Sequence, residues 1–109
     1  MPELFARGRR LDLELPIVVR GDAAEGGFAD SSVTINISSR AVCFESHRRL
    51  SIGSSLALEI ALPEPLRRHF GGEAVYRTRA VVYRVEATPK PSFRVVARFV
   101  RPAAKAPAG

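Results

Sequence analysis

The sequence is poor in the residues that most often carry chemistry, with one cysteine, two histidines and no tryptophan. The single thiol, Cys43, excludes an internal disulfide, and its apolar neighbours predict a buried side chain. His47 and His69 lie beside arginine pairs with no further ligand at metal-binding spacing, so no metal site is predicted. No serine stands in a G-x-S-x-G turn or a recognisable triad. We therefore expect a protein that is not an enzyme and carries no cofactor.

Long apolar runs are lacking as well. The longest are about five residues, whereas a membrane-spanning helix needs about 20. No apolar stretch follows the arginines near the N-terminus in the manner of a secretion signal. These features predict a cytoplasmic chain without a membrane partner.

Lysine is scarce although the chain is basic. The 17 basic residues exceed the 11 acidic ones, which gives a net charge of +6, yet only Lys90 and Lys105 are lysines. A guanidinium grips a phosphate with two parallel hydrogen bonds and stacks on aromatic bases, which an ammonium does less well. The arginine content favours a phosphorylated ligand; a codon bias towards arginine is the alternative explanation.

Apolar residues are present in an alternating pattern. At 109 residues and 46% hydrophobic content, the chain fits one globular domain. Six stretches alternate with the period of a strand that packs one face on a core. They are residues 11–19, 33–38, 41–45, 56–62, 73–86 and 93–100. Because closure removes exposed edges, these strands predict an all-β fold, a six-stranded antiparallel barrel.

Smaller features complete the predicted organisation. At most one short helical turn is expected, around 64–70, closed by Gly71 and Gly72. The fifth strand is long enough for a bulge or bend near Arg79. The domain boundaries that we expect are a flexible arginine-rich arm over 1–10, the barrel over 11–100 and a disordered tail over 101–109.

The stretch NISSRA, residues 36–41, ends the second strand in a hairpin. Period two places Val33, Ile35 and Ile37 on the core face. The same period places Asn36 and Ser38 together on the opposite face, where they would be open to a ligand.

Three arginines, Arg7, Arg9 and Arg10, precede the first strand. Guanidiniums grip phosphates, and an amide and a hydroxyl at a strand end hydrogen-bond a base edge. Together with Asn36 and Ser38, these arginines would form the mouth of a site for a phosphorylated ligand. The alternative is a solvated basic arm beside an ordinary polar hairpin.

Four pieces of the sequence follow one another along the chain: an arginine-rich leader running into LDLELPIVV, then TINISSRAVCF, then LSIGSSLALEIALP, and a closing hairpin of TRAVVYRVE with FRVVARF. In these pieces, from Arg7 to Phe99, the chain resembles a PilZ domain, the bacterial module that binds the second messenger cyclic di-GMP. The resemblance implies a six-stranded antiparallel barrel, in agreement with the alternation.

The resemblance also implies a ligand site made of two motifs. The first is R-x-x-x-R ahead of the first strand; Arg10 matches its second arginine, and Ala6 stands where the first would fall, so Arg7 or Arg9 would substitute. The second is D/N-x-S-x-x-G, in which alanine replaces the final glycine. The implied cyclic di-GMP-binding residues are Arg7, Arg9, Arg10, Asn36, Ser38 and Ala41.

Two functions follow from these motifs, and a third from charge. The first is a cyclic di-GMP receptor that orders its N-terminal arm on binding and so signals to a protein partner. The second is a PilZ-type barrel that has lost the nucleotide and acts as a protein–protein adaptor. The third, a barrel for single-stranded nucleic acid, is disfavoured because surface aromatics for base stacking are few.

Overall fold

The computed structural model describes residues 10–22 and 26–101. These residues form the strands β1 (Pro16–Gly21), β2 (Ala29–Ile37), β3 (Ala41–Ser46), β4 (Ser55–Ala61), β5 (Val75–Ala87) and β6 (Phe93–Phe99). A short helix, α1 (Glu64–Arg67), runs into a 3-10 helix (Arg68–Phe70). Most of the predicted arm, including Arg7 and Arg9, and the predicted tail beyond Arg101 lie outside the described residues.

The strands form a closed barrel in the order β1-β2-β3-β6-β5-β4, and β4 pairs again with β1. Every neighbouring pair is antiparallel. Two of the pairings, β1 with β4 and β3 with β6, join strands that are distant in sequence. The predicted six-stranded antiparallel barrel with one short helical segment is confirmed.

The core follows the predicted alternation most closely in β4 and β6. Every second side chain of these strands is buried: Leu56, Leu58 and Ile60 in β4, and Val95, Ala97 and Phe99 in β6. Burying a large apolar side chain contributes about 1.5–3 kcal/mol relative to leaving it exposed. These two strands therefore carry much of the apolar burial that stabilises the barrel.

β2 departs from the predicted alternation. Val33 is 45% exposed and Ile35 is half-buried, whereas Thr34 and Ile37 are fully buried. The register between β2 and β3 shifts between Thr34 and Asn36, which marks a β-bulge. Because a bulge adds one residue to a strand, the side chains on its two sides are out of phase. The prediction that Val33 and Ile35 share the core face with Ile37 is therefore wrong.

The predicted first strand, 11–19, is also irregular at its start, since β1 begins at Pro16. Before it, Leu11 forms an isolated bridge with Ile37. The side chain of Thr34 then forms hydrogen bonds that the backbone of a neighbouring strand would form in a regular sheet. Its Oγ1 accepts a hydrogen bond from the Leu15 N–H at 2.8 Å and donates one to the Leu13 carbonyl. A buried hydroxyl thus replaces ladder hydrogen bonds where the bulge interrupts the sheet.

β5 carries its bulge at Tyr83 and not near Arg79, where the sequence predicted it. Pairing with β6 is regular through Val82, and the register shifts between Val82 and Arg84. Tyr83 is therefore the extra residue, and it lies on the outer surface of the barrel with half of its area exposed.

The helical segment ends as predicted. Gly71 closes the 3-10 helix with φ at 91°, a left-handed conformation that favours glycine. No helix among residues 10–22 and 26–101 is long and apolar enough to cross a membrane.

Removal of the Thr34 hydroxyl tests its role in joining the 11–15 segment to β2. Thr34→Val keeps the shape of the side chain but leaves a buried N–H and a buried carbonyl without their partner, so we expect a loss of about 1–3 kcal/mol in urea unfolding. The control is Thr78→Val, whose hydroxyl is exposed and should change stability by about 0.5 kcal/mol or less. Equal effects of the two substitutions would contradict this role.

Candidate functional site

Ser38 holds the turn between β2 and β3. Its hydroxyl oxygen accepts hydrogen bonds from the backbone N–H groups of Arg40 at 3.1 Å and Ala41 at 3.2 Å, and it lies 3.4 Å from the Ala41 carbonyl, to which it donates. Serine hydroxyls are short enough to bond their own turn in this way. Ser38 is only 3% exposed, so the prediction that it shares an open face with Asn36 is wrong. Its hydroxyl instead positions Arg40.

Asn36 lies on the outer face of β2, whereas the next residue, Ile37, faces the core. In the sheet Asn36 pairs with Cys43 of β3. The side chain is half-buried and makes no hydrogen bond to the described residues. Its amide is therefore available to a ligand. The neighbouring Cys43 is buried as predicted, and burial raises the pKa of its thiol, which keeps it protonated and unreactive.

A cleft of about 330 Å³ opens beside this turn, at the rim of the barrel. We call it the rim cleft. It is lined by Arg10, Ser38, Arg40, Ala41, Tyr83, Val96, Arg98 and Phe99. The structure thus brings together three of the predicted site residues, Arg10, Ser38 and Ala41. Asn36 does not line the cleft, and Arg7 and Arg9 lie outside the described residues.

The rim cleft concentrates positive charge. Arg10, Arg40 and Arg98 line it, and no acidic residue within 10–22 and 26–101 does. None of these three guanidiniums forms a salt bridge with a carboxylate of the described residues. Several guanidiniums that line one cleft without carboxylate partners create a local positive potential that attracts an anion. The geometry therefore suits a ligand with more than one negative charge.

Five residues of the rim cleft were not among the predicted site residues: Arg40, Tyr83, Val96, Arg98 and Phe99. Arg40 lies inside the NISSRA stretch, so its position was visible in the sequence. Arg98 and Tyr83 reach the cleft only because β3 pairs with β6 and β6 with β5, with Ala41 opposite Arg98. No local pattern in the sequence indicates that juxtaposition.

A second cleft, of about 400 Å³, lies where the first half of β2 separates from the end of β3. We call it the seam cleft. Its arginine, Arg48, donates two hydrogen bonds to Asp30, at 2.7 and 3.0 Å, and its guanidinium lies 4.1 Å from the centre of the Phe28 ring. These bonds hold the pKa of the Asp30 carboxyl below its usual range. The Arg48 charge is therefore already neutralised, which makes this cleft less suited to an anion.

Comparison with known proteins bears on the fold. The structure of the Bacillus subtilis inhibitor of motility, MotI/DgrA, is similar to this chain with a TM-score of 0.68 and 24% sequence identity. The similarity covers 90% of this chain and 44% of the other, so the chain spans less than half the length of that protein. The fold is a PilZ-type barrel. No family model and no curated protein matches the sequence.

Loss of the Ser38 hydroxyl should loosen the turn that carries Arg40. Ser38→Ala leaves two backbone N–H groups without their acceptor, and we expect a loss of about 1–3 kcal/mol in urea unfolding. The control is Ser31→Ala, because Ser31 is exposed and such surface changes cost about 0.5 kcal/mol or less. A native-like stability of Ser38→Ala would show that the turn does not depend on this hydroxyl.

The Asp30–Arg48 pair should stabilise the fold in a pH-dependent manner. Because the pKa of Asp30 is lowered from 3.8, its contribution is present above that value and is lost as the pH falls through the folded-state pKa. We expect Asp30→Asn to lower Tm more at pH 7 than at pH 3. Asp12→Asn, which removes an exposed carboxylate outside the observed salt bridges, is the control. A deficit independent of pH would contradict the ion pair.

Proposed function

We propose that this domain binds cyclic di-GMP in the rim cleft. The observation that carries the proposal is the convergence of Arg10, Arg40 and Arg98 on one cleft, where no carboxylate of the described residues pairs with them. The PilZ-type fold and the matches of Arg10, Asn36 and Ser38 to the cyclic di-GMP motifs support the same ligand.

Each part of the cleft has a chemical role in this proposal. The guanidiniums of Arg10 and Arg40 hold the two phosphodiester groups, since bidentate N–H donors match phosphate oxygens. Arg40 is effective because the Ser38 hydroxyl fixes its backbone before the ligand arrives, which lowers the entropic cost of binding. The amide of Asn36, on the neighbouring surface, hydrogen-bonds the edge of a base.

Ala41, which replaces the motif's glycine, is compatible with this site. It begins β3 and pairs in regular register with Arg98. A paired strand residue needs no left-handed backbone, so alanine is not strained here. Its methyl group lines the cleft, where it narrows the approach of a ligand to the turn.

The signalling step is also part of the proposal. Arg7 and Arg9, which precede the described residues, join Arg10 in contacting the ligand. Contact with these arginines changes the surface that residues 1–10 present to a protein partner. The domain then acts as a switch without catalysis.

Calorimetry with cyclic di-GMP tests the proposed site. We expect micromolar or tighter binding by the native chain, weakened about tenfold or more in Arg10→Ala and in Arg40→Ala, because each removes charge-assisted hydrogen bonds. The matched control is Arg77→Ala, which removes the same charge from an exposed arginine beside Glu59. An absence of heat at millimolar ligand, or equal losses in all three variants, would refute the proposal.

The adaptor remains a second candidate because of exposed apolar side chains on the outside of β5 and just after β6. Val81, Tyr83 and Val100 are 38%, 50% and 61% exposed. The Val100 N–H donates to the Arg79 carbonyl, so these side chains share one surface. An adaptor would bind no cyclic di-GMP and would lose its protein partner in Val100→Asp but not in Arg20→Asp, which lies on β1.

A further inference from the structure

We propose that Arg98 and Tyr83 form a stacking platform for a purine base in the rim cleft. The inference rests on the proposed function, because it assigns the part of the site that recognises the base and not the phosphates. It assigns base stacking to residues of β5 and β6, and it leaves the phosphates to Arg10 and Arg40.

The two side chains already form a cation–π pair. The Arg98 guanidinium carbon lies 4.0 Å from the centre of the Tyr83 ring, within the range of a cation–π contact. Arg98 projects from β6, opposite Val81 of β5. Tyr83 reaches it because the bulge between Val82 and Arg84 adds a residue to the outer surface. The bulge therefore aims the ring at the guanidinium.

Comparison with the other cation–π pair of the described residues separates a binding role from a packing role. Arg48 lies over Phe28 at a similar distance, 4.1 Å, but Phe28 is buried and Arg48 is bonded to Asp30. In that pair the Phe28 ring is enclosed by the protein, and the Arg48 guanidinium is held by Asp30. In the Arg98–Tyr83 pair the ring is 50% exposed and the guanidinium forms no salt bridge with the described residues.

An open, planar and cationic surface selects a ligand by its chemistry. Bases stack on aromatic rings and on guanidinium planes, and a phosphate beside the base is favoured by the same charge. The ligand class is therefore a nucleotide in which a flat base and a phosphodiester are linked closely enough to reach the platform and Arg40 in one cleft. Small inorganic phosphates would engage the arginines but not the ring.

This assignment also accounts for a departure in the N-terminal motif. Ala6 stands where the resemblance to PilZ domains places the first arginine of R-x-x-x-R. The platform on β5 and β6 supplies a guanidinium and an aromatic ring to the same cleft from a different part of the chain.

The intrinsic fluorescence of the protein reports on the platform directly. The chain has two tyrosines and no tryptophan. Tyr76 packs between Phe70 and Phe99, so Tyr76→Phe leaves Tyr83 as the single emitter while keeping the packing. We expect cyclic di-GMP to shorten the Tyr83 fluorescence lifetime, since a stacked base quenches the ring. Pyrophosphate, which has no base, should leave the lifetime unchanged even when calorimetry shows that it binds.

Affinity measurements on variants complete the test. We expect Tyr83→Ala to weaken cyclic di-GMP binding about tenfold, in the range measured for loss of one stacked base, and Tyr83→Phe to bind within about twofold of the native chain. Arg98→Lys keeps the positive charge but removes the planar guanidinium, so it should weaken the binding of cyclic di-GMP more than the binding of pyrophosphate. The control is Arg84→Ala, because Arg84 lies on β5 beside Tyr83 but does not line the rim cleft.

The outcomes separate the two proposals. If the native chain binds no cyclic di-GMP, both proposals are wrong. If it binds, and Arg40→Ala weakens binding while Tyr83→Ala and the Tyr83 lifetime show no effect, the proposed function stands and the stacking platform is refuted.

Discussion

The pairing of β3 with β6 determines where the charge of this protein is concentrated. The two strands are distant in sequence, and their register sets Ala41 opposite Arg98. The Phe99 N–H donates to the Arg40 carbonyl at 2.9 Å, which extends the same ladder into the turn. Because β5 follows β6 in the barrel, Tyr83 joins the same rim. Without closure across β3 and β6, the arginines would be spread over unrelated surfaces and would repel one another only weakly.

Two arginine clefts on one small barrel illustrate how local partners decide function. In the seam cleft, Asp30 satisfies Arg48, and the pair closes over Phe28. In the rim cleft, the hydroxyl of Ser38 hydrogen-bonds the backbone, and the lining that the structure describes brings no carboxylate to the guanidiniums. Charges left uncompensated in a folded protein cost stability through mutual repulsion, and a bound anion relieves that repulsion.

The sequence predicts the parts of this fold that depend on local periodicity. In β4 the large apolar residues alternate with polar or small ones, in β6 the same pattern is interrupted only by Val96, and the structure buries the expected face of both strands. The prediction fails in β2, because a bulge changes the phase and a buried threonine replaces ladder bonds. Because a bulge leaves no reliable mark on composition, the sequence also predicts the wrong position for the bulge in β5.

The candidate site, like the fold, is predicted by the sequence only where it depends on local motifs. Arg10, Ser38 and Ala41 were predicted from motifs and lie together at the rim, although Ser38 acts on the backbone and not on an open face. The contribution of Arg98 and Tyr83 depends on strand order, register and a bulge at once, and these are properties of the closed barrel. A single sequence carries no pairwise information from which such a non-local contact follows.

NMR observation of the arginine Nε–Hε groups during titration with cyclic di-GMP would show which cleft holds the ligand. Direct contact with phosphates and a base shifts these signals strongly, whereas a remote arginine is little affected. The account predicts large shifts for Arg10, Arg40 and Arg98 and little change for Arg48, which already donates its Nε–H to Asp30. Shifts centred on Arg48 and the seam cleft, or no shifts at any arginine, would contradict it.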